Sequence, residues 1–189
     1  MRWDALFDDM EAQLAARQRL DFEAEVAERA LVDAAQVELA DRLRGSLGLS
    51  IRVQVSSGPA LEGTLSHAGS EALVLDEPQH QVLIPYAAAV RYGGLSRLAV
   101  PEPSAVRRRL GLASALRGLA GNRARVTILA SHGPLEAGLQ GVIDTVGRDF
   151  LDLAVNLEGG DRRPASTRQV LTIPFGALAG IRSAGAAGG

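Results

Sequence analysis

The feature that most limits what this 189-residue chain can become is that its second half restates its first. Arg125-Val126-Thr127-Ile128 answers to Arg52-Val53-Gln54-Val55. Gly141 and Gly147 bracket five residues, as Gly63 and Gly69 do. Leu151 and Leu153 match Leu73 and Leu75, and Ile173-Pro174-Phe175 matches Ile84-Pro85-Tyr86 before a last strand ending near Tyr92 or Ile181. Features that recur in one order point to a duplicated structural unit. The second copy carries an added loop, Asn156–Arg168, rich in Gly, Asp, Arg and Pro.

Within each copy the apolar period is two. Ile51, Val53 and Val55 alternate with Arg52 and Gln54, and short strands follow over 60–66, 71–76, 81–85 and 89–92. A flat sheet of about 40 residues cannot cover both its faces and is marginal alone. Gly63, Gly69, Gly141 and Gly147 are expected to let the strands bend until each sheet wraps its own apolar side. Pro85 and Pro174 lack a backbone donor and belong at a strand end or edge. The expected class is α+β: a long N-terminal helix (1–46), a first small antiparallel β-barrel (47–95), a linker with a basic helix (96–122), a second barrel (123–183) and a disordered tail (184–189).

No Gly or Pro precedes Gly45. Trp3, Leu6, Phe7, Met10 and Leu14 fall at helical spacing and form the candidate docking stripe for a partner. An unbroken helix here would be about 60 Å long, so it should bend near Leu20–Asp21 or project toward a partner. The first 44 residues carry 11 acids and 6 arginines, whereas residues 45–125 carry 9 arginines and 5 acids. Lys is absent. Pro101 and Pro103 with Ser104 signal the start of the basic helix, with Ser104 as N-cap. Arg97, Arg107, Arg108, Arg109, Arg117, Arg123 and Arg125 lie on or beside it and are the candidate nucleic-acid contacts, each able to displace a counterion from a phosphate. Few aromatics accompany them, so base stacking would be poor, and the acidic first helix is the competing destination for their charge.

The order of helix, strand, Gly-bent strand, Leu/Val strand and tight turn into a last strand resembles the Sm-like fold, an SH3-like small barrel shared by Hfq-type riboregulators and the Sm and LSm proteins. The resemblance covers 50–93 and 124–182. Its closest local match is Asp149-Phe150-Leu151-Asp152-Leu153, which is similar to the first Sm motif and implies a base contact for Asp152. The Hfq-type Lys-His pair and the Sm Arg-Gly are replaced by Pro85-Tyr86 and Pro174-Phe175, and Val74 stands at the base-contacting place of the first copy. A PRC-type small barrel has similar strand spacing. The start Trp3-Asp4-Ala5-Leu6-Phe7 resembles an uncharacterised actinobacterial family.

Cysteine is absent, which removes disulfides and thiol chemistry. His67, His80 and His132 have no companion at metal-ligand spacing, and no Gly-x-Ser-x-Gly elbow or Lys-bearing phosphate loop exists. Glu136 and Asp144 form no evident acid–base pair. No apolar run reaches membrane-span length. The expectation is a cytoplasmic, non-enzymatic interaction or assembly module without cofactor or metal. It would bind a protein partner or itself, with RNA or DNA binding through the arginine strip as the alternative.

Overall fold

The computed structural model describes residues 2–56, 60–131, 138–156 and 168–184. Two compact units divide the chain, Met1–Glu38 and Leu39–Gly189. The first is one helix, α1 (Arg2–Ala35). Its 34 residues span about 50 Å. It runs through Leu20–Asp21 without a break and stops at Gln36–Glu38.

A second helix, α2 (Leu39–Arg44), belongs to the other unit because its Leu43 is fully buried in that unit's core. Side chains fasten it to the segment after the fifth strand: Arg42 Nε donates to Ser96 O at 3.0 Å, and Arg44 Nε donates to Val100 O at 3.0 Å. Ser46 Oγ accepts from Ser96 N at 2.9 Å and donates to Arg42 O at 2.9 Å. Arg44 also pairs with Asp41.

Ten strands follow among the described residues: β1 (Ser50–Val55), β2 (Leu61–Ala68), β3 (Ala72–Asp76), β4 (His80–Pro85), β5 (Ala89–Gly93), β6 (Arg125–Ala130), β7 (Leu139–Val146), β8 (Phe150–Asn156), β9 (Arg168–Pro174) and β10 (Leu178–Ala184). All pair antiparallel in one open sheet of order β5-β1-β2-β3-β4-β10-β6-β7-β8-β9. The expected pair of separate barrels joined by a helix is therefore overturned. The sheet continues through β4 and β10, where Leu83 stands opposite Ile181 and Gln81 opposite Ser183. Bare strand edges are costly, and the two copies cover one edge each by pairing instead of closing separately. Arg182 reinforces the join: its Nε lies 3.1 Å from Glu77 Oε2 and its Nη2 donates to Oε1 at 3.2 Å.

The duplication reaches individual hydrogen bonds. Gly69 N donates to Ala72 O and Gly147 N to Phe150 O, both at 2.9 Å. Tyr86 N donates to Glu71 O and Phe175 N to Asp149 O, both at 2.8 Å. A 3₁₀ turn follows each proline, Tyr86–Ala88 and Phe175–Ala177. The register shifts between Leu65 and His67 in β2 and between Ile143 and Thr145 in β7. The bend thus sits three residues beyond Gly63 and Gly141. Those glycines serve close approach instead: a Cβ there would come within 2.7 Å of Asp76 O and 2.6 Å of Ala154 O. Gly69 and Gly147 lie at the ends of β2 and β7, where they begin the turns into β3 and β8.

Two apolar clusters fill the unit. One gathers Leu43, Val53, Leu65, Leu75, Val82 and Ile84, and the other Leu116, Val126, Ile128, Leu151, Leu153 and Ile181. They borrow from each other across the join. Leu129 and Ala179 lie in the first, Ala72 and Leu83 in the second.

The expected single basic helix over the linker is two short helices, α3 (Ala105–Arg108) and α4 (Leu112–Gly121). Ser104 does cap α3, its Oγ accepting from Arg107 N at 3.3 Å. The break falls at Arg109–Gly111, where the Glu71 carboxylate accepts from Leu112 N at 2.6 Å and starts α4 afresh. Leu112 and Leu116 then seal the second cluster. The turn at 57–59, the loop at 132–137 with His132 and Glu136, the added loop at 157–167 and the tail 185–189 lie outside the described residues.

Candidate interaction surfaces

Three surfaces collect the candidate residues. The first is α1. Met10 and Leu14 are exposed by 57% and 60%, one turn apart. Leu20, Phe22 and Val26 are exposed too, features the expected stripe did not include. Phe22 and Val26 are legible in the sequence as apolar positions farther along the helix, but Arg17 and Asp21 interrupt the spacing, which leaves them and Leu20 outside the docking stripe. The side chains of Trp3, Leu6 and Phe7 lie outside the described ones.

The second surface holds the arginines, and the fold does not gather them into one strip. Arg97 is exposed in the segment between β5 and α3. Arg107, Arg108 and Arg109 are exposed on α3 and its C-cap. Arg117, on α4, donates to Gly147 O at 3.3 Å and so ties that helix to the end of β7. Arg123 and Arg125 line an open cleft of about 1030 Å³ with Gln140, Asp144 and the glycines Gly121 and Gly141. Arg123 adopts φ of 47°, a left-handed conformation that a non-glycine residue takes only where the chain must turn sharply, here between α4 and β6. Asp152 does not stand free for a base: Thr172 Oγ1 donates to its Oδ1 at 2.6 Å across the β8–β9 pair.

A smaller pocket of about 260 Å³ lies between the β2–β3 turn and α4, lined by His67, Glu71, Val74, Leu83, Leu110 and Leu112. Glu71 is already committed there as the cap of α4. Among the described residues no three His, Asp or Glu side chains cluster as a metal ion would need. No helix among them is long and apolar enough to cross a membrane.

The third surface consists of the two outer strands, β5 and β9, each with one neighbour in the sheet. Sequence reasoning missed it, because which edges stay open depends on the join of β4 to β10. Val90 on β5 is exposed by 68% and Val170 on β9 by 50%. Tyr92, also on β5, turns its ring toward the first cluster. Burial pushes its phenol up to about 12. Tyr86, behind it, is pushed higher still by burial and by the nearby Tyr92, and its hydroxyl donates to Gly69 O at 2.8 Å.

No protein-family model matches the chain, and no curated protein matches it. The family resemblance therefore stands only on the residues quoted for it, and function must be argued from these three surfaces.

Proposed function

We propose that the chain is a non-catalytic interaction and assembly module, with the ten-stranded sheet as its rigid base and α1 as the element that docks a protein partner. The observation that carries this reading is the set of large apolar side chains left in solvent on α1: Met10, Leu14, Leu20, Phe22 and Val26, exposed by 52–67%. Burying a side chain of that size stabilises a contact by about 1.5–3 kcal/mol, so two such pairs suffice to hold a helix in a groove or against a second helix. The acids around them favour a partner with basic flanks.

The test compares the wild-type chain with Met10→Asp/Leu14→Asp and Phe22→Asp/Val26→Asp in quantitative affinity capture, followed by binding of the captured protein in purified form. A protein bound at fixed stoichiometry by wild type and lost with either double variant is the expected result. The rival reading, nucleic-acid binding through arginine, is tested on the same preparations with random RNA and DNA. Micromolar binding at about 150 mM salt that disappears in Arg107→Ala/Arg108→Ala/Arg109→Ala would overturn the proposal.

A further inference from the structure

The segment from Arg97 to Leu110 is a strap whose main chain is anchored and whose large side chains stay in solvent. At one end Val100 N donates to Asp41 O at 2.9 Å, and Val100 O accepts from Arg44 Nε at 3.0 Å. At the other, Leu110 O accepts from Ser70 Oγ at 2.9 Å, just before the Glu71 carboxylate caps α4. Between these anchors Leu98 is exposed by 61% and Val106 by 69%, and Leu110 itself by 52%. Arg97, Arg107, Arg108 and Arg109 are exposed among them. The single acid of the segment, Glu102, accepts from Ser104 N at 3.0 Å within the turn that leads into α3. Residues 97–110 thus set four arginines against one acid, interleaved with apolar side chains.

α1 has the opposite charge and the same mixture. Residues 2–35 hold nine acids and four arginines, and the stretch 20–29 holds four acids and one arginine. That arginine, Arg29, lies 4.0 Å from Glu25 and is answered within the helix. Phe22 and Val26 stand one turn apart on one face, and Glu23 and Glu25 lie to either side of the pair. We infer that α1 of one copy docks on the 97–110 strap of a second copy. This names the partner of α1 and so rests on the reading of α1 as the docking element.

Three properties of the two surfaces select this occupant. Setting Phe22 and Val26 against Val106 and Leu110 removes from water apolar area that is exposed on both partners. The acids beside Phe22 then meet Arg107, Arg108 and Arg109, and this complementarity fixes which surfaces meet. It also discriminates against α1 pairing with α1, where acid would face acid. Finally, the strap is anchored before any partner arrives, so docking orders little main chain and loses little entropy there. Each chain offers one helix and one strap. Exchange between two chains is therefore reciprocal and closes as a twofold dimer, with both contacts made at once. The edges of the sheet take no part.

The experiment is a charge swap in the full chain, with mass followed by light scattering and analytical ultracentrifugation. One variant reverses the helix, Glu23→Arg/Glu25→Arg/Glu28→Arg, and the other reverses the strap, Arg107→Glu/Arg108→Glu/Arg109→Glu. Wild type is expected to dimerise at micromolar concentration, and each variant alone to associate at least about tenfold more weakly. Mixing the two should restore a one-to-one dimer, because the reversed helix meets the reversed strap while the two native surfaces meet each other. Val106→Asp, an apolar change on the strap, should weaken association as the arginine reversal does. Circular dichroism of each variant, all altered at solvent-exposed side chains, checks that the fold is kept. A strap variant that dimerises like wild type overturns the inference, since the contact would then be α1 with α1 or the sheet edges. A mixture that stays monomeric overturns it too. So does a wild type that remains monomeric up to about 100 μM. In that last case a captured protein that is still lost with Phe22→Asp/Val26→Asp keeps α1 as a docking element for another partner, whereas capture indifferent to that variant removes both readings.

Discussion

Replacing Ile181 with Ala should unfold both halves of the sheet unit together. Ile181 is 1% exposed, lies on β10 between β4 and β6, and opposes Leu83 on one side and Ile128 on the other. The substitution removes three carbons, worth about 2.5 kcal/mol at ~0.8 kcal/mol each. The cavity left behind adds to this, for a total of about 3–4 kcal/mol. With a denaturant dependence of about 2 kcal/mol per molar urea, the midpoint should fall by about 1.5–2 M. The decisive assay is native-state hydrogen exchange read by peptide. Because Leu83 and Ala72 of the first copy sit in the cluster that Ile181 fills, peptides from β2–β3 and from β7–β8 should lose the same protection free energy. If β7–β8 weakens while β2–β3 keeps its wild-type protection, the halves are independent and the reasoning from a shared sheet fails.

Removing the guanidinium by Arg182→Ala should cost about 1 kcal/mol in urea denaturation, since the pair with Glu77 is partly exposed and only modestly stabilising, and a double-mutant cycle with Glu77→Gln should return a coupling of that order. Glu71→Ala takes away the acceptor for Leu112 N and should lower stability by about 1 kcal/mol, with α4 amides losing protection first; unchanged exchange in 112–121 would argue against the cap. Tyr92 ionises near 12 in the folded chain and near 10 when unfolded, so the folded state holds the proton longer. That contribution is complete below about pH 10 and is lost as pH rises through the interval to about 12, with Tyr86 acting in the same direction. Ultraviolet titration should therefore show both phenols ionising late and together with unfolding, and a normal tyrosine titration in the folded chain would contradict this.

The sequence displayed what is local. Period-two alternation marks Ile51, Val53 and Val55 as one buried face, and Ser104 caps a helix as its position suggests. It did not display the partner of β4, because Leu83 and Ile181 are far apart along the chain and no local pattern records such a pairing. The repeat itself was legible, but its register was not. Matching Arg125-Val126 to Arg52-Val53 looks best by residue type, yet Val126 opposes Gly141 as Ile51 opposes Gly63, a slip of two residues. Such a slip leaves every side chain on its own face, so periodicity cannot detect it. The arginines read as one strip because the linker was taken as one helix. The carboxylate of Glu71, from the first copy, sets where α4 begins, and the long-range contact was invisible in 101–121 alone. Of the interaction surfaces, Met10 and Leu14 were readable from spacing, whereas Val90 and Val170 became meaningful only once the open edges were known.

The strand made last of the ten lies in the middle of the sheet. Until residues 178–184 have been synthesised, β1–β5 and β6–β9 share no strand pairing, and beyond the chain itself only the Glu71 cap on α4 and apolar contacts such as those of Ala72, Leu83 and Leu129 link them. Folding of the whole unit must therefore wait for its final segment, and a nascent or clipped product ending before Leu178 would present four unsatisfied strand borders instead of two. Such a product would be prone to aggregate and a ready target for cellular quality control.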